Sequence, residues 1–401
     1  MKKEVLLFWL CLALGLMSFV SGCSQAVTPS TFLIDPAVLA ANRQKIELGD
    51  NVLSEALAGL KEEAEVALTE GPFSVTHKTK IPPSGDKRDY MSMGTYWWPD
   101  PTKPDGLPYI RKDGITNPEI AEIKDHAYFS ALCSNVSRLA VACYFTGEGK
   151  YAGKAAELLR VWFLDDDTRM NPHLNYGQAI PGITEGRGIG LIDTRALVHL
   201  IDGIQLLNAH GALTAAEYEG LQNWFRQYLE WMTTSPIGLD ESREHNNHGT
   251  YYDIQTIAIA LFIDRKDRAL QMINDYTKAR IEKQLEDDGR QPHELARTLS
   301  WTYSQMNLAG FFELAQLAEN VEVDLWNYVS PGGKSIKKAF VWMLSHVGDQ
   351  PWEYQQIRPV DKSGFINLVK IASVKYPDVD MSVFFDKYPE KKPDNLFILT
   401  R

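Results

Sequence analysis

A succession of apolar patterns of helical length is the feature that most limits how this chain of 401 residues can fold. Leu197, Leu200, Ile201 and Ile204 recur at the three- and four-residue spacing that places side chains on one buried face of a helix. Strands with alternating polarity are nearly absent, and residues 75–80 are the best short candidate. The sequence predicts helices at about residues 36–46, 51–68, 119–145, 151–163, 192–209, 215–232, 247–263, 267–284, 300–319, 335–344 and 364–376.

Turn-forming residues separate these helices. Gly147, Gly149, Gly211 and Pro236 follow predicted helix ends, so the connections are short. Long helices joined by short turns favour antiparallel hairpins. We therefore predict an all-α fold, an α/α toroid (an incomplete barrel) of six to seven helical hairpins. A two-domain helical protein or a helical-repeat solenoid is the alternative.

The N-terminal segment is typical of a targeting signal. Lys2 and Lys3 precede an apolar run over residues 5–20, and small residues then lead to Cys23, as at a bacterial lipoprotein cleavage site. We predict a lipoprotein signal peptide at 1–22, a tether at 23–30 and a single domain at 31–401. Lipidation of Cys23 would anchor the protein to a bacterial membrane, facing the periplasm or the cell exterior. An ordinary secretory signal or a buried helix is the alternative.

Two further cysteines fall within one predicted helix. Cys133 and Cys143 are ten residues apart, which at ~1.5 Å per residue separates them by roughly 15 Å. A disulfide needs Cα atoms within about 7 Å, so we expect two core thiols.

The overall charge limits the possible partners. Lysine and arginine total 41 against 52 aspartate and glutamate residues, a net charge of −11, which disfavours nucleic acid and an anionic membrane surface. An anionic polysaccharide stays possible, because a local basic cleft can outweigh the global charge. No pattern indicates an oligomeric state.

Two long polar loops, at residues 90–117 and 170–190, interrupt the helices. Loops of this length in a compact domain are often functional. In the first loop, Tyr96, Trp97 and Trp98 are candidates for a sugar-stacking platform, with loop packing as the alternative. The second loop contains other candidates for substrate contact, namely Arg187 (for a carboxylate), His173 and Tyr176.

Two short stretches, at residues 244–252 and 294–303, carry the most chemistry. Together they provide an amide, an imidazole, a guanidinium and a phenol, a set suited to removing a proton next to a carboxylate and expelling an alkoxide. Asn246 is either the N-cap of the helix or part of an anion site at its N-terminus. His245 and His248 have a spacing compatible with metal binding but lack an obvious third ligand, so we expect neither a metal nor an organic cofactor.

The stretches Asn246-Asn247-His248 and Glu294-x-x-Arg297-Thr298, the latter followed by Tyr303, resemble the alginate lyase group of polysaccharide lyases. The resemblance extends to the segments at 96–101, 168–172 and 186–190. It implies a carbon–oxygen lyase that cleaves 4-linked uronate polymers by β-elimination to 4,5-unsaturated products, with alginate as the first choice and glucuronan as the second. It also implies roles for the residues: Asn247, His248 and Arg297 neutralise the uronate carboxylate, and Tyr303 moves the proton.

The spacing of Arg297 and Tyr303 raises a geometric question. In one continuous helix, at ~100° per residue, the two side chains would lie about 240° apart. A helix that begins near Ser300 would leave Arg297 in a loop, free to turn inward. Tyr252 is the second candidate for the base, because it lies four residues after His248 on the same helical face. A tyrosine, with an ordinary pKa near 10, becomes a useful base when nearby positive charge lowers that pKa.

The sequence is also compatible with two other functions. A toroidal glycoside hydrolase would need two carboxylates across the scissile bond, and Asp100, Glu185, Glu241 and Glu294 are candidates. A non-catalytic glycan-binding lipoprotein would bind the polymer without shortening it.

Overall fold

The computed structural model describes residues 29–401. The predicted signal peptide and Cys23 lie outside the described residues. The first half contains the helices α1 (Pro36–Glu47), α2 (Asn51–Thr69), α3 (Asp125–Thr146), α4 (Gly149–Leu159), α5 (Leu197–Ala209), α6 (Ala215–Thr234), α7 (Pro236–Ser242) and α8 (Asn247–Phe262). The second half contains α9 (Lys266–Met272), α10 (Lys278–Gln284), α11 (Pro292–Leu295), α12 (Ser300–Glu319), α13 (Ile336–Ser345), α14 (Ile366–Lys375), α15 (Ser382–Lys387) and α16 (Asn395–Thr400).

The long helices agree with the sequence predictions to within a few residues at most ends. The helix predicted at 267–284 consists of α9, a π-helical turn and α10 in direct succession. Two predicted helices begin later than expected, since 3₁₀ segments precede α3 and α5. The short helices α7, α11, α15 and α16 were not predicted, because four to seven residues carry too little periodicity to be recognised.

The prediction of a strand at residues 75–80 is wrong. Val75–His77 is a 3₁₀ turn, because the Ser74 hydroxyl accepts a hydrogen bond from the Thr76 N–H at 3.0 Å. Lys78 then turns inward, and its Nζ forms a buried ion pair with Asp125 at 2.8 Å. This distant partner cannot be deduced from local alternation.

The strands instead lie in the two long loops and tie them together. They are β1 (Met91–Met93), β2 (Trp97–Trp98), β3 (Ile110–Arg111) and β4 (Tyr176–Ala179). β1 pairs with β4 in parallel, and β2 pairs with β3 antiparallel. The loops at 90–117 and 170–190 therefore form one surface feature.

The helices pack on one another around a continuous apolar core. α3 lies against α2, α4 and α5, and α8 lies against α5, α6, α9 and α12. Almost every residue of α8 is buried. This α/α arrangement agrees with the predicted toroid, and it brings the beginnings of α8 and α12 close together.

The predicted core thiols are confirmed. Cys133 and Cys143 are both buried in α3 and unbridged. Within residues 29–401, none of the helices combines the length and apolarity needed to cross a membrane.

Candidate active site

A cavity of about 830 Å³ opens between the paired loops and the beginnings of α8 and α12. It gathers residues that are far apart in the sequence. Its charged, aromatic and amide-bearing lining residues are Tyr96, Trp97, Arg111, Lys124, His126, Gln178, Arg187, Asp193, Arg195, Glu244, Asn246, Asn247, His248, Arg297 and Tyr303.

The cavity is locally basic in an acidic protein. Its walls contain four arginines and one lysine, whereas Asp193 and Glu244 are its lining carboxylates. Asp193 accepts hydrogen bonds from Tyr90, Ser92 and Gln178, so neutral donors hold this carboxylate. A cleft of this sign attracts an anionic ligand although the chain carries a net charge of −11.

The first turn of α8 presents three consecutive polar side chains to the cavity. Asn246 is the N-cap, and its side-chain oxygen accepts a hydrogen bond from the His248 N–H at 2.9 Å. Asn247 is almost fully buried and held by Glu294, which accepts from its backbone N–H at 2.6 Å and from its Nδ2 at 2.8 Å. The capping interpretation of Asn246 therefore describes its hydrogen bond, while the Asn247 amide is fixed in place by a buried carboxylate.

His248 is held in the same way. Its Nδ1 lies 2.9 Å from Oε1 of Glu241, a residue with 1% of its surface exposed. This contact leaves Nε2 as the ring nitrogen that is available to the cavity.

Arg297 lies in the turn between α11 and α12, outside both helices. Because α12 begins at Ser300, the rotational mismatch of a continuous helix does not arise. The Arg297 guanidinium stacks on the ring of Tyr303, 3.7 Å from its centre. One edge of the guanidinium is held by Asp113, with Nη2 to Oδ1 at 2.8 Å and Nε to Oδ2 at 3.2 Å. Burial raises the pKa of Asp113, but the hydrogen bonds from Arg297 and Thr298 outweigh it and hold that pKa below its usual range.

The Tyr303 hydroxyl lies 2.6 Å from the Tyr96 hydroxyl, so a loop residue and a helix residue meet inside the cavity. Burial and this hydrogen bond raise the pKa of Tyr303 above its usual range, while Arg297 acts in the opposite direction. Arg297 therefore lowers the pKa of Tyr303, as expected of a neighbouring cation, but burial has the larger effect and the net shift is upward.

The second loop contributes an arginine whose guanidinium is held by neutral groups. The Arg187 Nε donates to the Gln178 carbonyl oxygen at 3.1 Å and its Nη2 to Gln178 Oε1 at 3.0 Å. Gln178 is a buried non-glycine residue with φ of 49°, a conformation that costs free energy and is common at functional sites. Arg187 also lies over the Trp97 ring, and its side-chain hydrogen bonds among the described residues both go to Gln178.

Two aromatic candidates of the loops lie away from the cavity lining. Trp98 packs within its own loop, where its Nε1 donates to the Ile115 carbonyl oxygen and Lys112 covers its ring. Tyr176 lies in β4 opposite Met91. Both were predicted to contact substrate, but Trp98 pairs with Ile110 within the first loop, Tyr176 pairs with Met91 across the two loops, and neither lines the cavity.

His173 and Tyr252 are also placed elsewhere. His173 lies 3.0 Å from a carboxylate oxygen of Asp89 and is not part of the cavity lining. Tyr252 is buried, and its hydroxyl donates to the Met232 carbonyl oxygen at 3.0 Å. Tyr252 lies one turn after His248 on α8, as the i, i+4 spacing predicts, but its side chain packs toward α6.

The carboxylates that hold the donors were the main omission of the sequence reasoning. The sequence indicated Glu241 and Glu294 only as candidate hydrolase acids, and it did not indicate Asp113 at all. Glu294 stands three residues before Arg297, which is a weak local signal, whereas Glu241 and Asp113 reach their partners only through the fold. The described residues contain no group of three or more histidine, cysteine, aspartate or glutamate side chains arranged to hold a metal ion.

Comparison with known proteins gives consistent matches. The family model described as alginate lyase matches residues 74–352. The crystal structure of an alginate lyase from Bacteroides ovatus is 39% identical, with a TM-score of 0.88, over 93% of this chain and 99% of that chain. Alginate lyase A1-III from Sphingomonas species A1 is 19% identical, with a TM-score of 0.56, over 90% of this chain and 92% of its own.

A histidine-to-alanine variant of alginate lyase A1-III in complex with a tetrasaccharide is 16% identical, with a TM-score of 0.60, over 90% of this chain and 92% of that chain. At these lower identities the likeness shows a shared fold. No curated protein sequence matches the chain.

Proposed function

The chain belongs to the alginate lyase family, and from that membership and the cavity geometry we propose that it cleaves 4-linked uronate polymers by β-elimination, with alginate as its first substrate. The observation that supports this most is the contact between Arg297 and Tyr303 beside the Asn247–His248 pair. A cation, an amide, an imidazole and a phenol thus line one cavity of basic character.

The first requirement of the reaction is to stabilise negative charge on the uronate. Removal of the proton at C5 pushes charge into the neighbouring carboxylate, and donors fixed in advance lower that barrier. Asn247, His248 and Arg297 supply these donors. Each is already oriented by a protein carboxylate, so the donors need little rearrangement when the substrate binds.

The second requirement is a group that takes the C5 proton and returns a proton to the leaving O4. In mannuronate and glucuronate both atoms lie on one side of the ring, so one residue can serve both. Tyr303 is assigned this role, with Tyr96 as its hydrogen-bond partner. Trp97 and Arg187 are assigned to substrate binding, through stacking and carboxylate recognition.

The hydrolase alternative is not favoured. Glu241 and Glu294 are each 1% exposed and already hold His248 and Asn247, so neither is free to act on a glycosidic bond. Asp100 and Glu185 are absent from the cavity lining. The acidic pair needed for hydrolysis is therefore not formed by these four residues.

A panel of polymers tests the proposal. Purified protein is incubated with alginate, glucuronan, pectate and glycosaminoglycans, and the ultraviolet absorbance of the unsaturated product end is followed. We expect the highest rate on alginate and the next highest on glucuronan. An absence of absorbance with every polymer, while the polymer binds, would support the glycan-binding alternative.

We further propose that Cys23 carries a lipid that attaches the protein to a membrane. The support is the sequence alone: an apolar run ends in small residues directly before this cysteine. Replacement Cys23→Ser should move the expressed protein from the membrane fraction to the soluble fraction. A wild-type protein that is already soluble would contradict the anchor.

A further inference from the structure

The Glu241–His248 pair combines features that scaffold stability does not explain. Glu241 lies in the last turn of α7, six residues before α8 begins, and its carboxylate is buried against the imidazole of His248. Oε1 contacts Nδ1 of His248, whereas Oε2 is buried without any hydrogen-bond partner among the described residues.

Such a carboxylate destabilises the fold unless something compensates for it. Burial raises the pKa of Glu241, and the neighbouring His248 acts in the opposite direction. A buried charged group with an unpaired oxygen loses hydration that one hydrogen bond replaces only in part. Groups of this kind are enriched at functional sites, and Glu241 differs from other such groups in holding a histidine that lines the cavity.

The backbone around Glu241 is packed tightly enough to fix its position. Gly188 lies against it, and a Cβ at Gly188 would come within 2.6 Å of the Glu241 backbone nitrogen and 2.7 Å of Asp240 Oδ2. Gly188 directly follows Arg187, which lines the cavity. The loop that bears Arg187 and the helical segment that bears Glu241 are therefore in contact at Gly188.

We propose that Glu241 is a positioning residue that holds the His248 ring through Nδ1 and directs Nε2 toward the uronate. This inference rests on the proposed function of the cavity and adds to it a residue outside the Asn–His and Arg–Tyr motifs. In the neutral ring, Nδ1–H donates to Glu241 and Nε2 offers its lone pair to the cavity. In the charged ring, the carboxylate balances the imidazolium while Nε2–H donates to the substrate carboxylate.

Two replacements of Glu241 separate positioning from packing. Glu241→Gln keeps an oxygen acceptor but removes the charge, and Glu241→Met keeps the chain length but removes the acceptor. For Met we expect kcat/KM on alginate to fall about 10- to 100-fold, the size seen when the partners that orient metal-bound histidines are removed, and for Gln a smaller loss. Thermal unfolding of both variants checks that the fold is retained.

Glu313→Gln is the matched control. Glu313 also lies near a histidine, with Oε1 3.5 Å from His199 Nε2, and its Oε2 is likewise buried without a partner. Neither Glu313 nor His199 lines the cavity. We expect its kcat/KM to stay within about twofold of wild type, as for substitutions away from a site.

A second readout does not depend on activity. Imidazole ¹⁵N shifts report which ring nitrogen carries the proton, and the His248 signal is identified by its loss in His248→Gln. We expect the Nδ1–H form in wild type and in Glu241→Gln, and a mixture of both forms in Glu241→Met. An unchanged tautomer in Glu241→Met, or an unchanged kcat/KM, would overturn the proposal.

The two readouts also separate this proposal from the proposed function. If no polymer is cleaved but the tautomer shifts, the positioning role stands and the lyase function fails. If alginate is cleaved but neither readout responds to Glu241, the positioning role fails alone.

Discussion

Two arginine–aspartate pairs in this molecule show how scaffold and site differ. Arg280 is held by Asp253 through Nε at 2.7 Å and Nη2 at 2.9 Å, and it also donates to the carbonyl oxygens of Ser242 and Glu244. Arg297 is held by Asp113 in a similar two-point contact, but it has no further acceptor among the described residues.

The difference lies in the donors that remain. A guanidinium has five N–H groups. The protein satisfies most of those of Arg280, whose partner Asp253 is 2% exposed. Three N–H groups of Arg297 stay open beside the cavity. A nearly complete set of partners thus indicates a structural ion pair, whereas three open donors in a cavity indicate a place for a ligand.

The largest effect on the rate should come from Tyr303, which differs from Tyr252 as Arg297 differs from Arg280. The Tyr252 hydroxyl is satisfied by a backbone carbonyl, whereas that of Tyr303 meets only Tyr96 in the cavity. Tyr303→Phe should lower kcat about 10²- to 10⁴-fold, the contribution of a proton-transferring group, and leave polymer binding largely intact. Tyr252→Phe should lose about 1 kcal/mol of stability and keep its rate. The reverse pattern would make Tyr252 the base.

The second effect contrasts the two arginines directly. Arg297→Met should lower kcat/KM about 10²- to 10³-fold, as when one donor to a developing anion is removed, with a small change in stability. Arg280→Met should lower the free energy of unfolding by about 3–5 kcal/mol, because Asp253 is then buried without its counter-charge. Activity and denaturant unfolding are measured on both variants. Equal losses of stability in the two variants would show that Arg297, like Arg280, has a structural role.

The pH dependence follows from the raised pKa of Tyr303. The phenolate is the form that removes a proton, and a raised pKa leaves less of it at any given pH. We expect kcat/KM to rise about tenfold per pH unit through neutral pH and to keep rising toward the ordinary tyrosine value of about 10. A plateau already reached near neutral pH would show that another group is the base.

The smallest effect concerns His248 and the type of uronate. In guluronate, H5 and O4 lie on opposite faces of the ring, so a second group must act as base while Tyr303 acts as acid. His248→Ala should therefore lower cleavage of polyguluronate more than cleavage of polymannuronate, since general-base catalysis is lost only in the first case. Equal factors on the two polymers would restrict His248 to neutralising charge.

The sequence predicts the structural features that depend on local patterns, such as helix bounds. Apolar periodicity places α8 and α12 within a residue of their observed ends, and the start of α12 at Ser300 frees Arg297 as expected. The placement of Tyr252 is wrong because α8 is buried on nearly all sides, so a shared face does not tell which neighbour it meets. Asp113 and Glu241 could not be predicted, because their partners are brought to them only by tertiary packing.

The mass of the new product ends tests the central claim most directly. Each hydrolytic cut adds one water to the products, whereas each elimination adds none and leaves an unsaturated, ultraviolet-absorbing sugar. For alginate treated with wild-type protein, we predict oligosaccharides without added water, in proportion to the rise in absorbance. Saturated oligosaccharides that carry one added water per cut, with no rise in absorbance, would contradict the lyase assignment.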